Sequence, residues 1–332
     1  MKVIFPLVIL FLNLCDSDAK ISESLKVTLP HGGGIIGRYL TSFRGHGIRA
    51  FMGIPYAEPP VGNLRFSNPV PKSPWSGYME TVSNDFPNTS EPLPVMVYFH
   101  GGAWSIGSGS LYRPDFFLDH DVILVIGNYR LGALGFLSTN TSDSPGNFGI
   151  KDQVEILKWV QENIGVFGGN RDQVTIFGQS AGAVSVTYLL ASQCTKGLFH
   201  RAIAQSGNYF DPWAFLDNSL VLERTKKYAN VLGCTLKDEN WNELVVCLRG
   251  KSVDDLVKFT NELSEWFLSP LVKFPPTIEY DIKGGVIFEN PRNLKENHGL
   301  KIPLLIGLTR DEGATVSADG KSSSQLYYPT TG

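Results

Sequence analysis

The chain has no excess charge of one sign. Its 29 Lys and Arg stand against 32 Asp and Glu, a formal net charge of -3, which leaves nothing to attract phosphate backbones or anionic lipid and argues against a nucleic-acid partner. It also lacks long apolar runs. No stretch approaches the ~20 consecutive apolar residues that a membrane helix needs, so no membrane span is expected. Repeats and low-complexity tracts are missing too. With 42% hydrophobic and 18% charged residues, the 332-residue chain has ample material for a buried core and is not of disordered composition. One large domain is expected.

The start of the chain is the one place where apolar residues crowd together. Lys2 supplies a positive charge, Val3 to Leu14 is almost wholly apolar, and Ser17-Asp18-Ala19 places small residues at cleavage positions. This is the pattern of an export signal over residues 1–19, with cleavage after Ala19 and a secreted, extracellular domain over 20–332. A short buried strand or helix is the bland alternative, disfavoured because a core element would not normally be the first thing translated after a lone Lys. Disulfides persist outside the cell, which bears on the four cysteines. Cys15 leaves with the signal. Cys234 and Cys247 flank one short segment, and a disulfide closing a loop of that size would contribute about 3 kcal/mol. Cys194 is left over and reads as a small buried residue with an inert thiol. Asn88-Thr89-Ser90 and Asn140-Thr141-Ser142 are glycosylation acceptors where exposed.

From residue 93 onward, short apolar runs alternate with helical stretches, the pattern of a parallel sheet in an α/β fold. Val95–Phe99, Val122–Ile126, Val174–Phe177, Ala202–Ala204 and Pro303–Leu308 read as strands buried on both faces. Ile150, Val154, Leu157, Val160 and Ile164 recur at helical spacing, and Gly165 and Gly168 end that helix. The Gly- and Pro-rich stretch before residue 92 predicts antiparallel strands and turns.

Between the strand Val174–Phe177 and the helical stretch Ala183–Ala191 lies Gly178-Gln179-Ser180-Ala181-Gly182. A nucleophilic serine must project from a sharp strand-to-helix turn, and the flanking glycines allow a backbone approach that a Cβ would block. A plain tight turn is the alternative for the motif alone; its strand-turn-helix setting favours Ser180 as nucleophile. His100-Gly101-Gly102-Ala103-Trp104 follows Val95–Phe99 directly. Acyl transfer needs backbone N–H groups aimed at a developing oxyanion, and Gly102 and Ala103 are the candidate donors, joined by Ala181. His31-Gly32-Gly33-Gly34 matches such a loop better by letter, but it follows Pro30 in the strand-and-turn region and reads as a hairpin turn. Asp311 and Glu312 follow Pro303–Leu308 at the sheet edge where α/β folds place their sites. The residues alone do not choose between them, and a solvated surface pair is the bland reading. Nothing here implies a metal or an organic cofactor.

Longer segments narrow the field: Phe51-Met52-Gly53-Ile54-Pro55-Tyr56-Ala57 with Arg65-Phe66, Asn128-Tyr129-Arg130-Leu131-Gly132, Pro145-Gly146-Asn147-Phe148-Gly149 with Asp152-Gln153, and Gly197-Leu198-Phe199-His200-Arg201. With the serine motif these resemble the type-B carboxylesterases, the family of cholinesterases and insect esterases. Gln179, Arg65-Phe66 and Asp152-Gln153 look like its juvenile-hormone-esterase-like members, although other insect esterases share them. The resemblance covers most of the mature chain. It implies an α/β-hydrolase fold, a mostly parallel central sheet with helices on both faces, and hydrolysis of small-molecule carboxylic esters through a serine acyl-enzyme without a cofactor. It further implies Ser180 as nucleophile, the Gly102, Ala103 and Ala181 amides as oxyanion hole, Glu312 as the acid orienting a histidine, and a Cys234–Cys247 disulfide.

Two departures stand out. Between Trp75 and Leu93 the family has a disulfide loop and a strand around a Glu-Asp-Cys-Leu motif, where this chain has a short polar bridge; a lost strand would leave neighbouring backbone groups unpaired. After Glu312 the family continues with a strand, helices and the catalytic histidine, so a partial chain is expected. No histidine follows Glu312 here. His120, His200 and His298 precede strands and so belong to the opposite edge; His31 and His46 fall in the antiparallel region, and His100 is expected to brace the oxyanion loop. The 332-residue form is therefore expected not to turn over esters. The rival readings are a catalytically inactive cholinesterase-like binding or adhesion protein, which an intact Ser180 and Glu312 disfavour, and the smaller lipase-like esterases, which Pro145–Gln153 does not fit.

Overall fold

The computed structural model describes residues 7–14, 25–79, 91–264, 270–279, 284–294 and 299–312. Their strands are β1 (Leu7–Leu14), β2 (Leu25–Thr28), β3 (Gly34–Thr41), β4 (Gly47–Pro55), β5 (Tyr78–Met79), β6 (Leu93–Phe99), β7 (Ile123–Gly127), β8 (Gly169–Gln179), β9 (Arg201–Gln205) and β10 (Leu304–Gly307). The helices are α1 (Gly132–Phe136), α2 (Phe148–Asn163), α3 (Ala181–Ala191), α4 (Asn218–Val231), α5 (Trp241–Arg249) and α6 (Val253–Lys258). One sheet runs in the order β10-β9-β8-β6-β7-β1-β4-β3-β2, with β5 beside β3. From β10 to β7 every pairing is parallel, and from β7 to β2 every pairing is antiparallel. No described helix is long and apolar enough to cross a membrane.

All five strands expected after residue 93 form, and their alternation sorts the core. Val95, Val97, Phe99, Ile123, Val125, Val174 and Ile176 face the large cluster that α2 and α3 cover. Tyr98, Leu124, Ile126 and Phe177 point the other way, into a smaller cluster closed by Leu118. The 3.6-residue repeat becomes α2. Asn147 enters it in a left-handed conformation, and a 3-10 turn over Ile164–Phe167 ends it at Gly168, whose φ of 81° suits glycine. The Pro145–Gly149 motif has a structural role here. Asn147 donates its side-chain amide to Thr277 O (2.7 Å) and Glu279 Oε2 (2.9 Å) and accepts from Thr277 N (3.0 Å), while Lys151 pairs with buried Glu279.

Four expectations need comment. The apolar run Leu7–Leu14 is an interior strand between β7 and β4, so the gap expected from the short Trp75–Leu93 bridge is filled from the start of the chain; Cys15 and the cleavage positions Ser17 to Lys20 lie outside the described residues. β10 is not buried on both faces. Leu304, Leu305, Ile306 and Leu308 are 43–76% exposed, because β10 ends the sheet and no described element covers it. Cys234 and Cys247 are bonded, with Cα atoms 5.8 Å apart, joining the residues after α4 to α5. Cys194 is free but exposed rather than buried: in the turn after α3, Ser192 and Thr195 take the inward positions instead.

Candidate active site

Ser180 caps α3 with φ 55° and ψ −125°, a conformation that L-residues rarely adopt. Its N–H donates to Gln205 O at 2.9 Å, and its carbonyl accepts from Val184 N. The glycines on either side are required by contact. A Cβ on Gly182 would lie 2.0 Å from Phe99 O, and one on Gly178 2.5 Å from Gly182 O. The elbow is thereby pressed against the C-terminal end of β6, where the oxyanion loop begins. A Cβ on Gly101 would meet Gln179 O at 2.8 Å and Ser180 Cβ at 3.3 Å, so the two motifs are in direct contact.

Gly102, Ala103 and Trp104 all have positive φ, of 106°, 53° and 51°. This left-handed run turns the loop back so that Gly102 O accepts from Ser105 N and Ile106 N. Among the described residues, the N–H groups of Gly102 and Ala103 donate to no protein acceptor. The Ala181 N–H lies in the first turn of α3, where helix geometry provides none, and the α3 dipole adds positive potential there.

The loop is held from behind by His100, in the bracing place expected for it, and by further residues whose role sequence reasoning missed. Buried His100 approaches Gly101 O through Nδ1 at 2.8 Å, so this nitrogen carries the proton. Its ring stacks on Tyr129 at 4.5 Å, and the Tyr129 hydroxyl donates to His100 O at 2.6 Å. Burial lowers the His100 pKa below its ordinary 6.5, which favours the neutral ring. Gly132 N donates to Trp104 O at 2.6 Å. The turn carrying Tyr129 and Gly132 is fixed in turn by Arg130, which meets Asp152 of α2 through Nε (2.8 Å) and Nη2 (2.7 Å), both side chains being buried. Ser185 Oγ accepts from Trp104 Nε1 (3.0 Å) and Gln153 Nε2 (3.1 Å) and donates to Ala181 O. The only sequence signal for Tyr129, Arg130, Gly132, Asp152 and Gln153 was their place in the family motifs, and Ser185 carried none.

On the acid side, Glu312 accepts from Thr309 Oγ1 (2.7 Å), Thr309 N (2.9 Å) and Ser206 Oγ (3.0 Å). These bonds, the Thr309 hydroxyl foremost, hold its carboxyl below the usual range. Asp311 instead pairs with Arg310 in solvent, which separates two carboxylates that the sequence left equivalent. Ser206, itself at φ 55°, was not foreseen. Gln179, Gln205 and Gly307 form one row across β8, β9 and β10. Ser180 and the turn bearing Glu312 therefore leave the same edge two strand spacings apart, roughly 10 Å.

The described histidines keep to the expected places. His200 exchanges hydrogen bonds with Val174 at the N-terminal edge, and His120 closes the turn before β7. The turn containing His31 bonds Leu29 to Gly32 and Gly33, as a hairpin turn does, and His46 sits between β3 and β4. Among the described histidines, only His100 follows a strand at the same sheet edge as the serine. His298 and Asn88 lie outside the described residues. Asn140 is half-buried, its Nδ2 donating to Asn218 O at 3.1 Å. A cleft of about 330 Å³ opens beside the oxyanion loop, lined by Ser105, Ile106, Leu131, Leu134, Val253 and Leu256 among others.

The Carboxylesterase family model matches residues 23–89 and 82–327. The chain belongs to this family. Its relatives include Esterase FE4 of Myzus persicae, 39% identical over 336 residues (91% of this chain, 58% of the relative). The juvenile hormone esterase of Tribolium castaneum is 37% identical over 316 residues, covering 85% of this chain and 54% of the relative. The acetylcholinesterase of Danio rerio is 38% identical over 309, covering 80% and 48%. The chain thus spans less than two thirds of the length of these carboxylesterases. The α/β-hydrolase fold, with its parallel sheet and flanking helices, is the one this family implies.

Proposed function

We propose that this carboxylesterase-family chain carries the nucleophile half of a serine carboxylic ester hydrolase acting on small-molecule esters. The observation that supports the reading is the close packing of Gly101 against Gln179 and Ser180, where a Cβ would lie 3.3 Å from Ser180 Cβ. Ser180 Oγ attacks the ester carbonyl carbon, and the carbonyl oxygen takes the negative charge beside the Gly102, Ala103 and Ala181 amides. The alcohol departs with a proton as its C–O bond breaks, leaving an acyl-enzyme that water hydrolyses to the acid. Glu312 orients an imidazole that accepts the Ser180 proton from the gap between them. No described histidine occupies that gap, and none follows Glu312 in sequence.

The reading fixes an expectation for the 332-residue chain. Losing the base of such a triad costs on the order of six powers of ten in rate. p-Nitrophenyl acetate turnover should therefore not exceed that of Ser180→Ala, while a form extended by a histidine-bearing C-terminal segment should turn over. A fluorophosphonate adduct mapped to any serine other than Ser180 in the extended form would overturn the assignment. Turnover by the 332-residue chain would instead make His100 the base. The apolar start supports export to the extracellular space, with glycans at Asn88 and Asn140; peptide mapping with and without glycosidase tests both sites.

A further inference from the structure

β7 and β4 run parallel to each other, two strand spacings apart, and β1 lies between them antiparallel to both. Leu10 stands opposite Val125 on one side and Phe51 on the other, Leu12 opposite Ile123 and Arg49, and Val8 opposite Gly127 and Ile54. Nothing else in the sheet order joins the parallel half, β10 to β7, to the antiparallel half, β4 to β2.

The walls of this slot are clamped by contacts that do not involve β1. At one end Ser42 Oγ donates to Asp119 Oδ1 at 2.7 Å, Arg44 N donates to the same oxygen, and Phe43 N donates to Asp115 O at 2.9 Å. These bonds tie the β3–β4 turn to the loop before β7. At the other end the Tyr56 hydroxyl, just past β4, donates to Asn128 O, just past β7, at 2.8 Å. Both walls are interior: Ile123, Leu124, Val125 and Ile126 of β7 and Ile48, Arg49, Ala50 and Phe51 of β4 are all buried. Without a strand between them, two facing rows of N–H and C=O groups would stand buried and unpaired, which native structures avoid.

We infer that β4 and β7 form a strand-acceptor slot and that its occupant is Leu7–Leu14, the apolar run that also reads as an export signal. The sequence Leu7-Val8-Ile9-Leu10-Phe11-Leu12 suits the role, being apolar at every position like the interior strands of parallel sheets. Export and folding therefore compete for the same eight residues. Cleavage after Ala19 removes a strand from the middle of the sheet and leaves an opening for another extended apolar strand in the same orientation. The inference does not depend on the esterase reading.

The test uses the full chain, its mass first confirming that residues 1–332 are present. In hydrogen exchange the amides of residues 8–12 should be as protected as those of 123–127. Exchange of 8–12 at unprotected rates beside a protected β7 would overturn the inference. Leu10→Pro removes an N–H from an interior strand and should lower the melting temperature by about 10 °C. It should also cut protection at both 48–54 and 123–127 by ~100-fold, while Ser17→Pro, outside the strand, changes neither. If Leu10→Pro melts within about 2 °C of the parent with β7 still protected, the slot does not need this occupant and the inference fails.

Discussion

Ser180 stands where backbone meets backbone, with Gly178, Gly182 and Gly101 each packed against a neighbouring main chain so closely that a single methyl group would not fit. Glu312 stands two strands away, exposed, on a turn after a strand whose leucines face solvent. The proposed nucleophile and oxyanion loop are thus held by their own core, through α2, α3 and the Tyr129–Arg130 turn. The proposed acid is held, among the described residues, by Thr309 and Ser206. Preorganisation of one half of a site does not require the other half to be enclosed.

Four substitutions or conditions test this contrast, in falling order of effect. Asp152→Asn leaves the buried Arg130 without its counter-charge and should cost 3–5 kcal/mol in urea unfolding; a loss under 1 kcal/mol would mean that the Arg130 turn does not brace the loop. Gly182→Ala forces a Cβ against Phe99 O and should cost about 1–3 kcal/mol. It should also abolish fluorophosphonate labelling in a form that otherwise labels, so retained labelling would show the elbow to be adaptable. The third is acidification. Because burial lowers the folded-state pKa of His100 below the ordinary 6.5, the unfolded chain binds the proton more readily. Stability that is complete above pH 6.5 should then be lost as pH falls through that value toward the folded pKa. His100→Gln should flatten this part of the melting-temperature profile, and an unchanged slope would assign it to other groups. Smallest of all, Leu305→Ser on the exposed strand should change stability by less than ~0.5 kcal/mol, against several for the same change at a buried leucine such as Leu157. A larger loss would show β10 to be covered in solution.

Much of this arrangement was legible in the sequence, for stated reasons. The five strands follow from short apolar runs and α2 from a 3.6-residue period, and the serine elbow follows from glycines that only a close backbone approach demands. Ser206 carried no signal, because a serine before a glycine has no pattern of its own. The bracing by Tyr129, Arg130 and Asp152 depends on contacts between residues far apart in the chain. The exposure of Leu304 to Leu308 was hidden because an apolar run reports what a strand would bury, not whether a neighbour is there to bury it. Leu7–Leu14 shows a deeper ambiguity: a signal core and a strand paired on both edges ask for the same residues, and composition cannot separate them.

The backbone angles of Ser180 set two kinds of selection against each other at one residue. Its φ of 55° and ψ of −125° lie in territory where glycine moves freely and serine is strained by roughly 1–3 kcal/mol. A search for heat resistance alone would therefore favour glycine at 180 and end the proposed chemistry in the same step. Variants of this chain recovered by thermal selection should accordingly be checked at that codon before any gain in melting temperature is credited to the rest of the molecule.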